Sequence, residues 1–162
     1  MVEEYFINIR EPLEILFIYT DGACRNNGRK NARAGIGIYC EHFERSEQFP
    51  YINQTNQRAE LFAILTALEM IIENKLIGKY NEIHLFTDSQ YSIKCCTEWI
   101  HKWVATKWKK PVKNREFIEP IFTILLEHSK INLFHIKAHT GLKDEHSQGN
   151  EKADKLATMG LK

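Results

Sequence analysis

Four acids stand where ordinary surface chemistry would not put them: Asp21, Glu60, Asp88 and Asp154. Asp21 stops an apolar run in "FIYTDGACRNNG", and Asp88 stops another in "HLFTDSQYS". Asp-Gly after alternating apolar residues is also a strong hairpin signal, so Asp21 is open to two readings, turn-former or ligand. Asp88 is equally open, because an Asp before Ser-Gln-Tyr suits a helix N-cap. Glu60 shares a helical line with Ile64, Leu68 and Ile71, which points a carboxylate along an apolar stripe. The helix dipole would explain a first-turn Glu but not its direction. Asp154 lies with Asn150, Ala153 and Ala157 on a small-residue face that permits close approach, or else is a surface acid balancing Lys152 and Lys155. Four converging carboxylates without four matching bases repel one another unless cations neutralise them. Hard oxygen donors suit Mg²⁺ or Mn²⁺, and a pair of such ions is the usual device for displacement at phosphorus.

Convergence requires elements that carry these residues to one place. Residues 1–12 read as a leader ended by Pro12, and Glu14 to Thr20 as a strand. Gly35 to Cys40 and Phe43 to Ile52 follow as two more strands in an antiparallel meander. From Asn56 to about Asn74, Leu61, Ile64, Leu65, Leu68, Ile71 and Ile72 recur at helical spacing. Glu82 to Thr87 is a short strand, and Ser89 opens a helical stretch that runs through the tryptophans and breaks near Pro111. A helix is expected over Arg115 to His128, with Pro120 tolerable only near its first turn. Ile131 to Ile136 reads as a strand, His139 to Gly149 as a polar loop, and about Asn150 to Met159 as a last helix. The sum is an α/β domain with a mixed five-stranded sheet, in which strand-helix-strand connections make parallel neighbours. Asp21 and Asp88 then emerge at one sheet edge, where open α/β sheets bind ligands.

Composition narrows the class. The 162 residues are enough for one domain with a real core, and 22 Lys+Arg against 21 Asp+Glu leave the total charge silent about a polyanionic partner. Cys24, Cys40, Cys95 and Cys96 form no C-x-x-C pair, so reduced thiols and an intracellular protein are expected, without a structural zinc. Glu3, Glu4, Arg10 and Glu11 interrupt the N-terminal stretch, which argues against a signal peptide or a membrane span.

Charge is instead concentrated locally. Trp99, Trp103 and Trp108 interleave with Lys102, Lys107, Lys109, Lys110, Lys113 and Arg115, with no acid between Trp99 and Arg115. That is the footprint of backbone contacts to a nucleic acid, and equally of an amphipathic helix with Trp inward and Lys outward; lysine stems allow both.

The stretches YTDGAC, NQRAEL, FTDSQY, EWIHKW followed by WKKPVKN, and KAHTG with GNEKADKLA resemble, in order and from about Ile15 to Gly160, the cellular type I ribonucleases H. The resemblance implies the ribonuclease H-like fold over residues 13–162, with strands 1, 4 and 5 parallel, and hydrolysis of the RNA strand of RNA/DNA hybrids to 5′-phosphate and 3′-hydroxyl products. It implies two Mg²⁺ ions, with Mn²⁺ as a substitute, on Asp21, Glu60, Asp88 and Asp154. His139 matches the family's mobile catalytic histidine. The stretch "HTGLKDEHSQGN" is longer than in bacterial members and puts His146 in the same loop as a competitor. The tryptophan segment, about 99–115, resembles the family's basic protrusion, which grips the DNA strand; Trp99, Lys102, Trp103, Trp108, Lys109 and Lys110 are its expected contacts. By the same resemblance Cys24, Asn27, Asn56, Gln57 and Gln90 line the minor groove, where the 2′-hydroxyl tells RNA from DNA, and Thr55 and Asn27 hold a DNA phosphate. Gln57 departs from the Asn or Gly of many relatives. Turn and cap chemistry explains Asn27 and Asn56 just as well.

The expected protein is a monomer with no membrane partner. A non-cutting hybrid-binding module is the alternative class, and a transposase or resolvase of the same fold a third; the intact acids speak against the former and the basic tryptophan segment against the latter.

Overall fold

The computed structural model describes residues 12–162. The leader expected over residues 1–12, with the acids read against a signal peptide, lies outside the described residues except for Pro12.

Five strands form one sheet in the order β3-β2-β1-β4-β5: β1 (Ile15–Arg25), β2 (Arg33–Cys40), β3 (Phe43–Gln48), β4 (Glu82–Thr87) and β5 (Ile131–His135). β1 pairs antiparallel with β2, β2 antiparallel with β3, and β1, β4 and β5 run parallel, as expected for the mixed sheet. The helices are α1 (Asn56–Glu73), α2 (Gln90–Lys94), α3 (Ile100–Ala105), α4 (Arg115–Glu127) and α5 (Glu145–Met159), with a π-turn over Cys95–Trp99 joining α2 to α3.

The period of two along β1 separates the layers. Leu16 and Ile18 point into the main core with Ile36, Ile38, Leu61, Ile64, Leu68, Ile83 and Leu85, all shut off from solvent. Each such side chain contributes about 1.5–3 kcal/mol by leaving water. Phe17 and Tyr19 point to the opposite face, where Tyr19, Phe86 and Ala153 form a second cluster beneath α5. The small-residue face of α5 is met by glycines of β2: a β-carbon on Gly35 would lie 2.6 Å from the Ala157 carbonyl oxygen, and one on Gly37 would strike Ala153 and Ala157.

Several boundaries differ from the sequence reading. β1 does not end at Thr20 but continues to Arg25, because β2 goes on pairing with it from Tyr19↔Tyr39 to Arg25↔Arg33 after β4 has stopped at Tyr19↔Phe86. Asp21 therefore sits inside a strand, and the chain turns later, at Asn26 (φ 56°) and Gly28 (φ 85°). β3 stops at Gln48 rather than Ile52. Pro120 is the sixth residue of α4, deeper than the expected first turn; it forfeits one backbone bond, while Phe117, Ile118 and Ile121 bury the helix and hold it. α5 begins at Glu145, not Asn150, since Asp144 caps it by accepting from the Ser147 amide at 3.2 Å. The polar loop is correspondingly shorter, and Gly149 lies within the helix, where a β-carbon would lie 2.5 Å from the Tyr19 ring.

Candidate active site

Beyond Tyr19 the β4 side of β1 has no strand partner, and that opening receives the acids. Thr20 Oγ1 donates to the Phe86 carbonyl at 3.3 Å, tying the two strands where their pairing ends. Asp21 follows on β1 and Asp88 just past β4. Ser89, not Asp88, caps α2, accepting from the Ser92 amide at 3.1 Å, so the capping explanation of Asp88 falls away.

Glu60 arrives from α1. Thr55 caps that helix, its Oγ1 accepting from the Arg58 amide at 3.1 Å. Gly22 allows the first turn of α1 to lie directly on β1, since a β-carbon there would collide with the Glu60 backbone nitrogen. The Asp-Gly pair is thus a point of close approach rather than a turn. α1 is buried on almost every side, Arg58 to Ile64 included, so the apolar stripe is wider than the spacing suggested and does not single out Glu60.

One carboxylate oxygen each from Asp21, Glu60 and Asp88 lies within 4.8 Å of the others. Asp21 is 3 % and Glu60 4 % exposed. Burial first, then the charge of Asp88, pushes the Asp21 carboxyl up to about 8. Glu60 is raised well above the usual carboxylate range by burial and by the charges of Asp21 and Asp88. Burial and the charge of Asp154 raise Asp88, against the opposing pull of His139. Among the described residues none of the four acids has a Lys, Arg or His ion-pair partner, and Glu60 Oε2 is buried without a hydrogen bond. An orphaned buried oxygen among mutually raised carboxylates is the donor set a hard divalent cation fits. Asp154, half-buried on α5, stands beside Asp21 and Asp88 but outside the group of three.

The two histidines separate clearly. His139 is exposed, in the left-handed region (φ 51°), and lines a cavity of about 330 Å³ together with Asp154. His146 is not in the loop at all. It lies in the first turns of α5, where its Nδ1 meets Tyr19 Oη at 2.7 Å and its ring stacks on Phe86 with centroids 4.4 Å apart. His146 is thus anchored in α5 rather than sharing the loop with His139.

Asn27, Thr55, Asn56 and Gln57 line one polar cleft of about 790 Å³, joined by Arg58, Lys113 and Asn114. Asn27 Oδ1 accepts from the Asn56 amide at 3.1 Å, so the turn-and-cap role holds there as well. Cys24 and Gln90 stand outside that cleft; Cys24 is half-buried against the Gln54 carbonyl, and Gln90 is exposed at the start of α2. In the tryptophan segment Trp103 and Trp108 pack on the core while Trp99 is 45 % exposed. Arg115 lies 4.1 Å over the Trp108 ring, and exposed Lys102, Lys109 and Lys110 rim a pocket floored by Trp103 and Trp108. The inward-tryptophan, outward-lysine arrangement therefore holds for Trp103 and Trp108, while Trp99 stays at the surface.

Sequence reasoning missed the tie that joins these parts. The Arg58 guanidinium donates to Asn114 Oδ1 at 3.2 Å and to Glu116, and lies 4.9 Å over the Phe117 ring; Asn114 in turn donates to Tyr91 Oη at 2.9 Å. Arg58 is within the quoted NQRAEL, but nothing in a sequence distinguishes a buried arginine from a solvated one.

A profile of the RNase H family matches residues 14–162. Ribonuclease H1 of Mus musculus is 38 % identical over 157 residues, covering 92 % of this chain and 51 % of the relative. Ribonuclease H of Ruthia magnifica subsp. Calyptogena magnifica is 34 % identical over 152 residues, covering 90 % of this chain and 94 % of the relative. The solution structure of the PFV RNase H domain is similar with a TM-score of 0.69 and 27 % identity, over 93 % of this chain and 96 % of that one. The chain spans about half the length of the mammalian relatives it matches.

Proposed function

The chain belongs to the RNase H family, with relatives among the cellular type I enzymes, and from that premise we propose that it is a metal-dependent endoribonuclease that hydrolyses the RNA strand of RNA/DNA hybrids. The observation that carries this reading is the group of three carboxylate oxygens within 4.8 Å, two of the acids buried and none with a cationic partner among the described residues.

Asp21, Glu60 and Asp88 would hold one divalent ion, and Asp154 with Asp21 would help to hold a second. Two such ions, Mg²⁺ or in its place Mn²⁺, supply charge neutralisation at the phosphate and a more acidic water when bound. The rest falls to the chain's own groups. Burial at the end of β1 and in the first turn of α1 holds Asp21 and Glu60 in place, and a cation would favour their ionised forms. His139, exposed beside Asp88 and Asp154, exchanges protons at the departing 3′-oxygen, leaving 5′-phosphate and 3′-hydroxyl ends. Asn27, Thr55, Asn56 and Gln57, with Cys24 and Gln90 at the margin, read the 2′-hydroxyls and hold a DNA phosphate. Lys102, Lys109 and Lys110 grip the DNA backbone, with Trp99, Trp103 and Trp108 as the apolar surface beneath. Residues 13–162 act as one catalytic domain, as a monomer.

The test is an end-labelled RNA/DNA duplex incubated with the protein and Mg²⁺, beside RNA/RNA, DNA/DNA and single-stranded RNA. Cutting confined to the hybrid RNA, and abolished in Asp21→Asn while hybrid binding persists, supports the proposal. Hybrid binding without cutting in Mg²⁺ and Mn²⁺ overturns it in favour of a binding module.

A further inference from the structure

The loop between β5 and α5 carries His139 and is joined to the helix by Thr140 Oγ1 donating to Ser147 Oγ at 3.3 Å and by the Gln148 side-chain amide donating to the Lys143 carbonyl at 2.7 Å. One turn further along α5 lies Asn150, 5 % exposed, whose Oδ1 has no hydrogen-bond donor among the described residues. Ser147, Asn150 and Asp154 share a helical face, so Asn150 sits between the loop's anchor and the acidic cluster. Between loop and helix is the cavity of about 330 Å³, lined by Lys137, His139, Asn150, Asp154 and Lys155.

A buried amide oxygen left unpaired is costly, so a donor that reaches it is favoured. The side-chain donors on its wall are two lysine ammoniums, the imidazole, and the Thr140 and Ser147 hydroxyls, which are bonded to each other. Both lysines are exposed, and moving an ammonium out of water opposes the gain, whereas a neutral imidazole N–H loses little. The loop also has the joints for the movement: His139 and Gly141 both hold positive φ, 51° and 71°.

Resting on the proposed function above, we infer that Asn150 is a positioning residue for His139: when the loop closes, Asn150 Oδ1 accepts from one imidazole N–H. The bond fixes the tautomer and leaves the other ring nitrogen facing Asp88 and Asp154. Which nitrogen carries the proton is set by the bond the other one makes.

The experiment is a double-mutant cycle with a spectroscopic arm. Asn150→Leu removes the acceptor at similar volume, and Asn150→Ala repeats the cycle should the leucine variant not fold. Expected is a loss of kcat of about tenfold with KM for the hybrid unchanged, shrinking to less than about twofold in a His139→Ala background. An equal loss with and without the imidazole overturns the inference. In the second arm, ring nitrogen shifts of His139 are recorded on protein saturated with hybrid in EDTA, where no cutting occurs. One dominant tautomer in the parent and a mixture in Asn150→Leu support the docking; unchanged shifts overturn it. This arm needs no turnover. A protein that fails to cut hybrids but shows the tautomer change loses the proposed function and keeps the docking.

Discussion

Gly22 and Glu60 meet backbone to backbone: a β-carbon on Gly22 would strike the Glu60 amide nitrogen and lie 2.6 Å from the Ala59 carbonyl carbon. This contact is what brings a carboxylate from α1 into the same small volume as Asp21, the residue preceding Gly22 on β1. The neighbour is main chain in a buried helix, so it cannot swing aside as a flexible side chain would.

Gly22→Ala is therefore expected to destabilise the protein by about 2–4 kcal/mol in urea unfolding. It also lowers cleavage by about 100-fold or more, because the Glu60 oxygen is displaced by a fraction of an ångström or more. Unfolding and activity like those of the parent would mean that α1 can slide without consequence.

Asp21 titrates near 3.8 when unfolded and near 8 when folded. Between those values the folded chain holds the extra proton, so metal-free stability falls as the pH rises and the penalty is complete above about 8. In EDTA, Tm should decline from pH 4 to pH 8. Asp21→Asn should flatten that decline and raise Tm near pH 8 by about 4–8 °C, equivalent to roughly 2 kcal/mol. Mg²⁺ should raise Tm in the parent and not in the variant. A parent Tm that climbs over this range contradicts the buried acidic cluster.

The two histidines should part company. His146→Phe keeps the stack on Phe86 but loses the bond to Tyr19 Oη, and should cost about 1–2 kcal/mol of stability with kcat within about twofold. His139→Ala, at an exposed position, should leave Tm alone and lower kcat. The reverse pattern would return His146 to the site.

Arg58 is buried with its guanidinium over the Phe117 ring and a carboxylate, Glu116, bonded to it. Arg58→Ala leaves Asn114 without that donor and opens a void, and should destabilise by about 3 kcal/mol. Because Asn114 links on to Tyr91, salt-dependent hybrid binding should weaken too. Unaltered stability would show the tie to be incidental.

Lys109 and Lys110 are exposed on the tryptophan segment. Replacing both by Ala should weaken hybrid binding and reduce the slope of log K against log salt by about two, one for each phosphate contact removed, with kcat unchanged. An unaltered slope would place the DNA strand elsewhere.

Local chemistry made much of this legible in the chain itself. The apolar run that Asp88 stops marked β4 to the residue, helical spacing marked α1 to within a residue, and the ordered motifs around Asp21, Glu60, Asp88 and Asp154 pointed to a family and a metal-binding chemistry. Those signals are carried by neighbours a few residues apart, which is why they survive without a structure. What depended on distant partners did not. Asp-Gly by itself left turn-former and ligand both open because a dipeptide does not reveal that Ala59 and Glu60 pack on the glycine. His146 read as a loop residue because its partners, Phe17, Tyr19 and Phe86, lie on other strands. β1 seemed to stop at Thr20 because only β2, pairing from Arg33 onward, extends it. The unpaired oxygen of Asn150 and the buried charge of Arg58 are invisible in any window of sequence, since burial and hydrogen-bond satisfaction are properties of the assembled fold. The sequence by itself determined which groups could do chemistry; only the tertiary structure decided which of them share a site, because convergence is set by packing between elements and not by order along the chain.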